Sequence, residues 1–249
     1  MTIAGVTVII ISRGLKALLN QCLTNLSSAA KAAGQHLTAR VVLVDNASEI
    51  PYQLEDFDFD DINLLRFDKD HSFSRANNIA AQTYPNDFFL LLNNDVLLNR
   101  NTLTAMLHVL QTIPNAGLCG TRLVFPDGTI QHCGVVFGPG TVGPYQRMRR
   151  APGQLATRTL SEYQAVTGAC LLVKKELWNS VGGFDENYPF GLEDIDFCLK
   201  ARLSGWRVFC DNSTDSLHFE SSTPGRVEKD VISRKLFMRK WNGRFTIDG

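Results

Sequence analysis

The sequence carries no charge excess. Its 25 lysines and arginines balance 25 aspartates and glutamates. The chain as a whole therefore has no electrostatic footprint for nucleic acid, and no nucleic-acid partner is expected. It also has no apolar run long enough to cross a bilayer. The longest early run, Val6 to Ile11, has the length of a strand. No basic segment precedes it and no small-residue cleavage site follows, so it does not read as a signal peptide. None of the 6 cysteines forms C-x-x-C, and their spacing fits no zinc pattern. Most lie in apolar stretches such as Ala169-Cys170-Leu171-Leu172, which reads as buried free thiols in a reducing compartment. The expected location is cytoplasmic, with the inner face of the cell membrane as the place where a basic tail would make peripheral contact.

Several catalytic signatures are missing as well. There is no phosphate loop of the form G-x-x-x-x-G-K-[ST], and no G-x-G-x-x-G follows the first strand, which weighs against dinucleotide binding. No G-x-S-x-G is present. The neighbours His132 and Cys133 fall in a predicted strand and face opposite ways, so they do not form a dyad. Internal repeats are absent. What remains is an ordinary globular composition, 44% hydrophobic and 20% charged over 249 residues. A chain of that size buries a core without metals or disulfides.

The first half alternates apolar strands with helical patterns. Val6–Ile11, Val41–Val44, Ile62–Phe67 and Phe88–Leu92 read as buried strands. Leu15 to Ala33, Ser74 to Thr83 and Leu103 to Leu110 read as helices. Continuous apolar strands, each followed by a helix, predict a mostly parallel sheet covered on both faces. Ligands bind such sheets beyond the carboxyl ends of the strands, where Asp45 and Asp95 fall. In the second half, Leu118 to Val124 and Thr129 to Phe137 read as strands around a Pro126-Asp127-Gly128 turn. Gly138 to Gly153 reads as a loop, Ala165 to Val173 as an extended segment, and Lys175 to Val181 as a short helix. Asp194 to Ser204 reads as a helix, Trp206 to Cys210 as a strand, and the tail from Thr223 as helical through Leu236, Phe237 and Trp241.

Four segments can carry chemistry. Asn93-Asn94-Asp95 ends an apolar strand; a carboxylate there suits Mg2+ or Mn2+ completed by phosphate and water, and equally suits a helix cap or Asx turn. Glu193-Asp194-Ile195-Asp196 opens a helix after a glycine turn. Acids are favoured there by the helix dipole, but a carboxylate near an apolar wall also serves as a general base. His218 can ligate a metal or be structural. Arg75, in His71 to Asn78, can pair with a phosphate or a base edge, or be a surface arginine. The acidic stretch Glu55 to Asp61 precedes a strand and reads as a solvated loop.

Taken in order, these segments resemble the family 2 glycosyltransferases, in particular the bacterial branch of rhamnosyltransferases and other cell-surface polysaccharide enzymes. The resemblance is carried by Val6–Ile11, Val41 to Ser48, Phe73 to Asn78, Leu90 to Val96, Val166 to Val173, Gly182 to Glu186, Gly191 to Asp196 and His218, with Phe237 to Trp241 as a tail motif. It implies an α/β GT-A fold: a Rossmann-like nucleotide-binding half (1–98) with a central, mostly parallel sheet, fused to an acceptor-binding half (99–222), with a C-terminal helical tail (223–249). It implies metal-dependent, inverting transfer from a UDP- or dTDP-linked sugar to a hydroxyl of a glycan or lipid-linked acceptor in polysaccharide biosynthesis. By position, Asp194 would be the general base, with Glu193 orienting the acceptor. Asp45 would bind the base, Arg75 would hold the nucleotide, Asn94 would sit at the ribose, and Ile10, Ser12 and Asn77 would complete the nucleotide-sugar site. Asp95 would hold the divalent metal, Mn2+ or Mg2+, with His218 as a second metal ligand or a diphosphate contact.

The chemistry suits those residue types. A departing nucleoside diphosphate needs a cation rather than an acid, and one carboxylate on the opposite face of the sugar suffices as base. Some positions depart from the family's pattern: Asn93-Asn94-Asp95 has one carboxylate where an aspartate-x-aspartate is usual, the first strand ends Ser12-Arg13-Gly14, and Ser72 replaces a glycine. A nucleotidyltransferase and a catalytically degenerate sugar-nucleotide-binding domain are the competing readings, and the chain also reads as one domain of a longer enzyme. Arg147, Arg149 and Arg150 read as a solvated loop or as a contact for a lipid-linked diphosphate or an anionic glycan.

Overall fold

The computed structural model describes residues 3–140, 142–220 and 226–249. Strands β1 (Ala4–Ser12), β2 (Leu37–Asn46) and β3 (Ile62–Phe67) run parallel, and β4 (Phe88–Leu92) lies parallel on the other side of β1. They are apolar at successive positions because both faces are covered. Val8 and Ile10 enter one core with Leu19, Cys22, Leu23 and Leu26 of helix α1 (Lys16–Ala33). Ile9 enters the other with Ala76 and Ala80 of α2 (Phe73–Thr83). Each fully buried leucine of α1 contributes about 1.5–3 kcal/mol relative to exposure. Ser72, which replaces the family's glycine, sits in extended backbone and caps α2, its Oγ accepting from the Arg75 N–H at 3.3 Å.

The second half continues with β5 (Val96–Leu97), α3 (Thr102–Thr112), β6 (Ala116–Val124), β7 (Ile130–His132), β8 (Val135–Gly138), β9 (Gly143–Gln146), β10 (Leu160–Glu162) and β11 (Cys170–Lys174). Then come α4 (Lys175–Val181), α5 (Glu193–Leu203), β12 (Arg207–His218) and α6 (Arg226–Trp241). The main sheet runs β10-β12-β6-β11-β4-β1-β2-β3, with β5 on β12 and β7 on β6. Strand β11 is antiparallel to both β4 and β6, while β12 is parallel to β6. Its reversed direction sets Cys170 opposite Leu92, so the segment entering β11 meets the carboxyl end of β4.

Three local expectations are corrected. The strand expected over Thr129 to Phe137 breaks at Cys133-Gly134 into β7, on the main sheet, and β8, which pairs with β9. Gly134 has φ +115°, and a Cβ there would collide with the Tyr163 ring, so the break needs glycine. The segment Gly138 to Gly153, expected as a loop, contains β9 and forms a hairpin with β8. The strand expected over Trp206 to Cys210 runs on to His218, its last residue. The expected boundary at 222/223 and the first residues of the tail lie outside the described residues.

Helix α6 is fastened to α5 through buried Asp196. This carboxylate accepts from Trp241 Nε1 at 2.7 Å and from the Tyr188 hydroxyl at 3.1 Å, and pairs with Lys240 Nζ at 2.7 Å. Lys240 also reaches Asp185 at 3.0 Å. Phe237 and Trp241 pack into the core shared with α2, α4 and α5. Asp196→Ala strands the buried donors of Tyr188 and Trp241, removes one of the two partners of Lys240, and should lower stability by about 3 kcal/mol. Asp230→Ala, which removes only an exposed pair with Arg234, should cost less than about 0.5 kcal/mol. Urea midpoints of the two variants measure the contrast.

Candidate active site

Four parallel strands deliver their carboxyl ends to one edge. In register across β1, β2 and β3 stand Ser12, Asp45 and Arg66. The Asp45 carboxylate accepts from the Ser48 N–H at 2.9 Å and the Tyr52 N–H at 3.2 Å, and pairs with Arg66 Nη1. Burial opposes its charge, but these donors prevail and hold its carboxyl below the usual aspartate range. Ser12 Oγ lies 2.7 Å from the Tyr52 hydroxyl and accepts from Asn94 Nδ2 at 2.8 Å. Asn94 thereby joins the edge from β4, and Asn93 N–H donates to the Ala169 carbonyl at 2.9 Å.

Asp95 and His218 meet because β5 pairs with the end of β12, Val96 opposite His218. Asp95 Oδ1 lies 3.2 Å from His218 Nε2, with both side chains about 5% exposed. The buried Nδ1 of His218 has no hydrogen-bond partner among the described residues. A carboxylate and an imidazole form a donor set suited to Mn2+. Adjacent ligands about 2.1 Å from one octahedral ion stand about 3.0 Å apart, close to the separation seen. The pair therefore fits a divalent cation. Among the described residues no group of three or more His, Cys, Asp or Glu converges on one cation position. Phosphate and water would complete the shell.

Helix α5 begins under constraint. Gly191 and Leu192 both hold left-handed backbone, φ +73° and +70°. For leucine that conformation is costly and marks a turn held by its surroundings. It sets Asp194 against the segment entering β11: Asp194 Oδ2 accepts from the Gly168 N–H at 2.7 Å, and Oδ1 from the Ile195 N–H at 2.8 Å. A Cβ at Gly168 would stand 3.1 Å from that of Asp194, so glycine permits the approach. Burial raises the Asp194 carboxyl, with the two N–H groups working the other way. Glu193 is buried, with Oε2 unpartnered. Burial and then the Asp194 charge push its carboxyl well above the usual glutamate range. Burial thus raises both carboxyls, with two N–H groups favouring the charge of Asp194 and the neighbouring charge adding to the rise at Glu193.

The remaining expected site residues lie as follows. Arg75 is exposed and pairs with Glu186 at 3.2 Å, beside Asn78, whose amide clamps the Phe184 N–H and carbonyl at 2.9 and 3.0 Å. Asn77 is buried and donates to Phe73 O in its own helix at 2.9 Å. The Ile10 side chain lies in the core. Arg149 pairs with Glu220 at 2.8 Å, and Arg150 with Asp127 at 3.3 Å. The cysteines are free and buried. Cys210 Sγ lies 3.8 Å from His132 Nε2, a proximity the sequence does not reveal. Burial pushes the thiol up and the imidazole down to about 4, so both are neutral and the contact is not a nucleophilic dyad. Reading the sequence also missed Tyr52, Arg66 and Gly168. Arg66 had one visible signal, a cation near the carboxyl end of a predicted strand.

The fold is that of the GT-A glycosyltransferases. A crystal structure of GalNAc-T7 with UDP, GalNAc and Mn2+ superposes with a TM-score of 0.72 over 96% of this chain and 48% of that one, at 13% identity. The glycosyl transferase family 2 model matches residues 7–132, and the chain belongs to that family. Glu193, Asp194 and His218 lie beyond the matched segment. The O-antigen biosynthesis protein RfbC of Myxococcus xanthus is 33% identical over 192 residues, 74% of this chain and 15% of that protein. The N-acetylglucosaminyl-diphospho-decaprenol L-rhamnosyltransferase of Mycobacterium tuberculosis is 27% identical over 164 residues, 59% of this chain and 52% of that protein. The chain thus spans about half, or less, of these curated relatives. Among the described residues, no helix is long and apolar enough to cross a membrane.

The raised carboxyl of Glu193 has a consequence for stability. The native state keeps this proton at pH values where the unfolded chain has released it, so stability falls as pH rises above the ordinary glutamate value. Glutamine cannot ionise. Melting temperatures of Glu193→Gln should therefore gain on the wild type between about pH 5 and pH 8.

Proposed function

We propose that this chain is an inverting glycosyltransferase unit. It moves a sugar from a UDP- or dTDP-linked donor to a hydroxyl of a glycan or lipid-linked acceptor in cell-surface polysaccharide synthesis. Residues 1–98 hold the donor and 99–222 the acceptor, and peripheral contact with a membrane would bring in a lipid-linked acceptor. One observation carries the reading: the segment entering β11 binds both halves of the site at consecutive residues. The Ala169 carbonyl takes the Asn93 N–H, beside Asp95, and the Gly168 N–H takes Asp194. A donor diphosphate at the first and an acceptor hydroxyl at the second would stand next to each other. The relatives' names, one in O-antigen biosynthesis and one an L-rhamnosyltransferase, support the substrate class.

In this scheme Asp194 takes the proton of the acceptor hydroxyl as its oxygen attacks the anomeric carbon. The bond from that carbon to the diphosphate oxygen breaks, and the nucleoside diphosphate leaves with the electron pair. Attack from the face opposite the leaving group inverts the centre without a covalent sugar–enzyme intermediate. Glu193, kept protonated by burial, is suited to donate a hydrogen bond that orients the acceptor. A divalent cation held by Asp95 and His218 would supply positive charge to the diphosphate as it departs. The bound UDP and Mn2+ of the GalNAc-T7 structure support a site of this kind.

Asp194→Asn should lower transfer at least about 100-fold while leaving UDP binding intact, read by nucleoside diphosphate release and by titration calorimetry. Undiminished transfer by this variant, or a product that retains the donor's anomeric configuration, would sink the mechanism. Asp95→Asn should abolish the Mn2+-dependent part of the rise in melting temperature produced by UDP or dTDP. A rise that survives in full would remove Asp95 from the cation site.

A further inference from the structure

The structure assigns direct reading of the nucleotide base to Arg66, with Asp45 as the residue that positions it. This rests on the donor-site reading above and changes which side chain touches the base. The Asp45 side chain is 0% exposed, whereas Arg66 is 35% exposed. Both carboxylate oxygens of Asp45 already accept hydrogen bonds: Oδ1 from Ser48 N–H, Oδ2 from Tyr52 N–H and Arg66 Nη1. Tyr52, itself buried, donates its backbone N–H to the carboxylate and is tied through its hydroxyl to Ser12 and the Gly14 carbonyl. A base arriving at this edge meets the guanidinium first and cannot reach the carboxylate without dismantling that network.

Arg66 is well held for such a task. It stands in register with Asp45 and Ser12 at the carboxyl end of β3. Nη1 is fixed by Asp45, and Nη2 donates to the Ser48 carbonyl at 3.2 Å. A guanidinium carries about five N–H donors, so the two contacts lock its plane and leave other donors for a ligand. The buried carboxylate offsets its charge, which suits it to a neutral base rather than to the diphosphate. A rigid planar donor recognises carbonyl oxygens. Uracil and thymine present such oxygens on their edge, whereas adenine presents an amino donor beside a ring nitrogen. The pairing therefore selects a pyrimidinedione nucleotide over an adenine nucleotide.

The test is titration calorimetry on the full chain with UDP, ADP and inorganic pyrophosphate, each with Mn2+. Arg66→Gln should weaken UDP binding about tenfold and lower the UDP-over-ADP preference by a similar factor, with pyrophosphate binding unchanged. Arg66→Lys keeps the charge and the aliphatic stem but not the fork, and should lose the same preference in a chain that folds normally. If Asp45 acts through Arg66, Asp45→Asn should reproduce the loss, and the double variant should be no worse than Arg66→Gln alone. UDP binding by both Arg66 variants that equals the wild type overturns the assignment and leaves the donor-site reading standing. Losses that add in the double variant return the base contact to Asp45. A wild-type chain that binds pyrophosphate but shows no added affinity for UDP overturns the assignment, and one that binds neither overturns the donor-site reading with it.

Discussion

The ligand edge depends on one short antiparallel pairing, Val96 and Leu97 of β5 against His218 and Leu217 of β12. A two-residue strand contributes little by itself. It holds because β12 is already paired with β6 along most of its length, and because Val96 is fully buried. The pairing brings residues more than a hundred positions apart into contact, so that the carboxylate beyond the end of β4 meets the imidazole that ends β12. Without it, Asp95 would be one polar residue in a turn and His218 the frayed end of a strand.

The same sheet gives three acids on one helix three different surroundings. Asp196 points inward, where Tyr188, Lys240 and Trp241 answer its charge and bind α6. Asp194 faces the segment entering β11 and accepts two backbone N–H groups. Glu193 is buried beside Asp194, with one oxygen unanswered, and its carboxyl is raised. Identical chemistry at neighbouring positions thus meets three environments, one answered by side-chain donors, one by two backbone N–H groups and one with an oxygen left unanswered. An unsatisfied buried oxygen costs stability.

Much of the architecture was legible from the chain. The parallel strands over Ile62–Phe67 and Phe88–Leu92 and the helix over Lys175–Val181 fall where apolar runs and glycine stops place them. Residues such as Asp45, Asp95 and Asp194 were visible as carboxylates at strand ends or a helix start. The hairpin of β8 and β9 was hidden because Gly138 to Gly153 is rich in turn residues, and its pairing rests on a fit between Gly134 and Tyr163 that no local pattern encodes. Arg66 was overlooked for a related reason: its importance comes from register with Asp45 across β2 and β3, not from its neighbours in sequence.

By itself the sequence determined where most of the strands and helices form and which of their faces are buried, because burial periodicity and capping are local. Only the tertiary structure decided the direction of β11, since a strand covered on both faces reads alike in either orientation. That direction brings the Gly168 N–H to Asp194 and the Ala169 carbonyl to Asn93. The covering of Asp45, the meeting of Asp95 with His218 and the pairing of Asp196 with Lys240 were decided there as well. Each of these joins groups distant in sequence, and their charges and hydrogen bonds acquire a partner only when the sheet has closed.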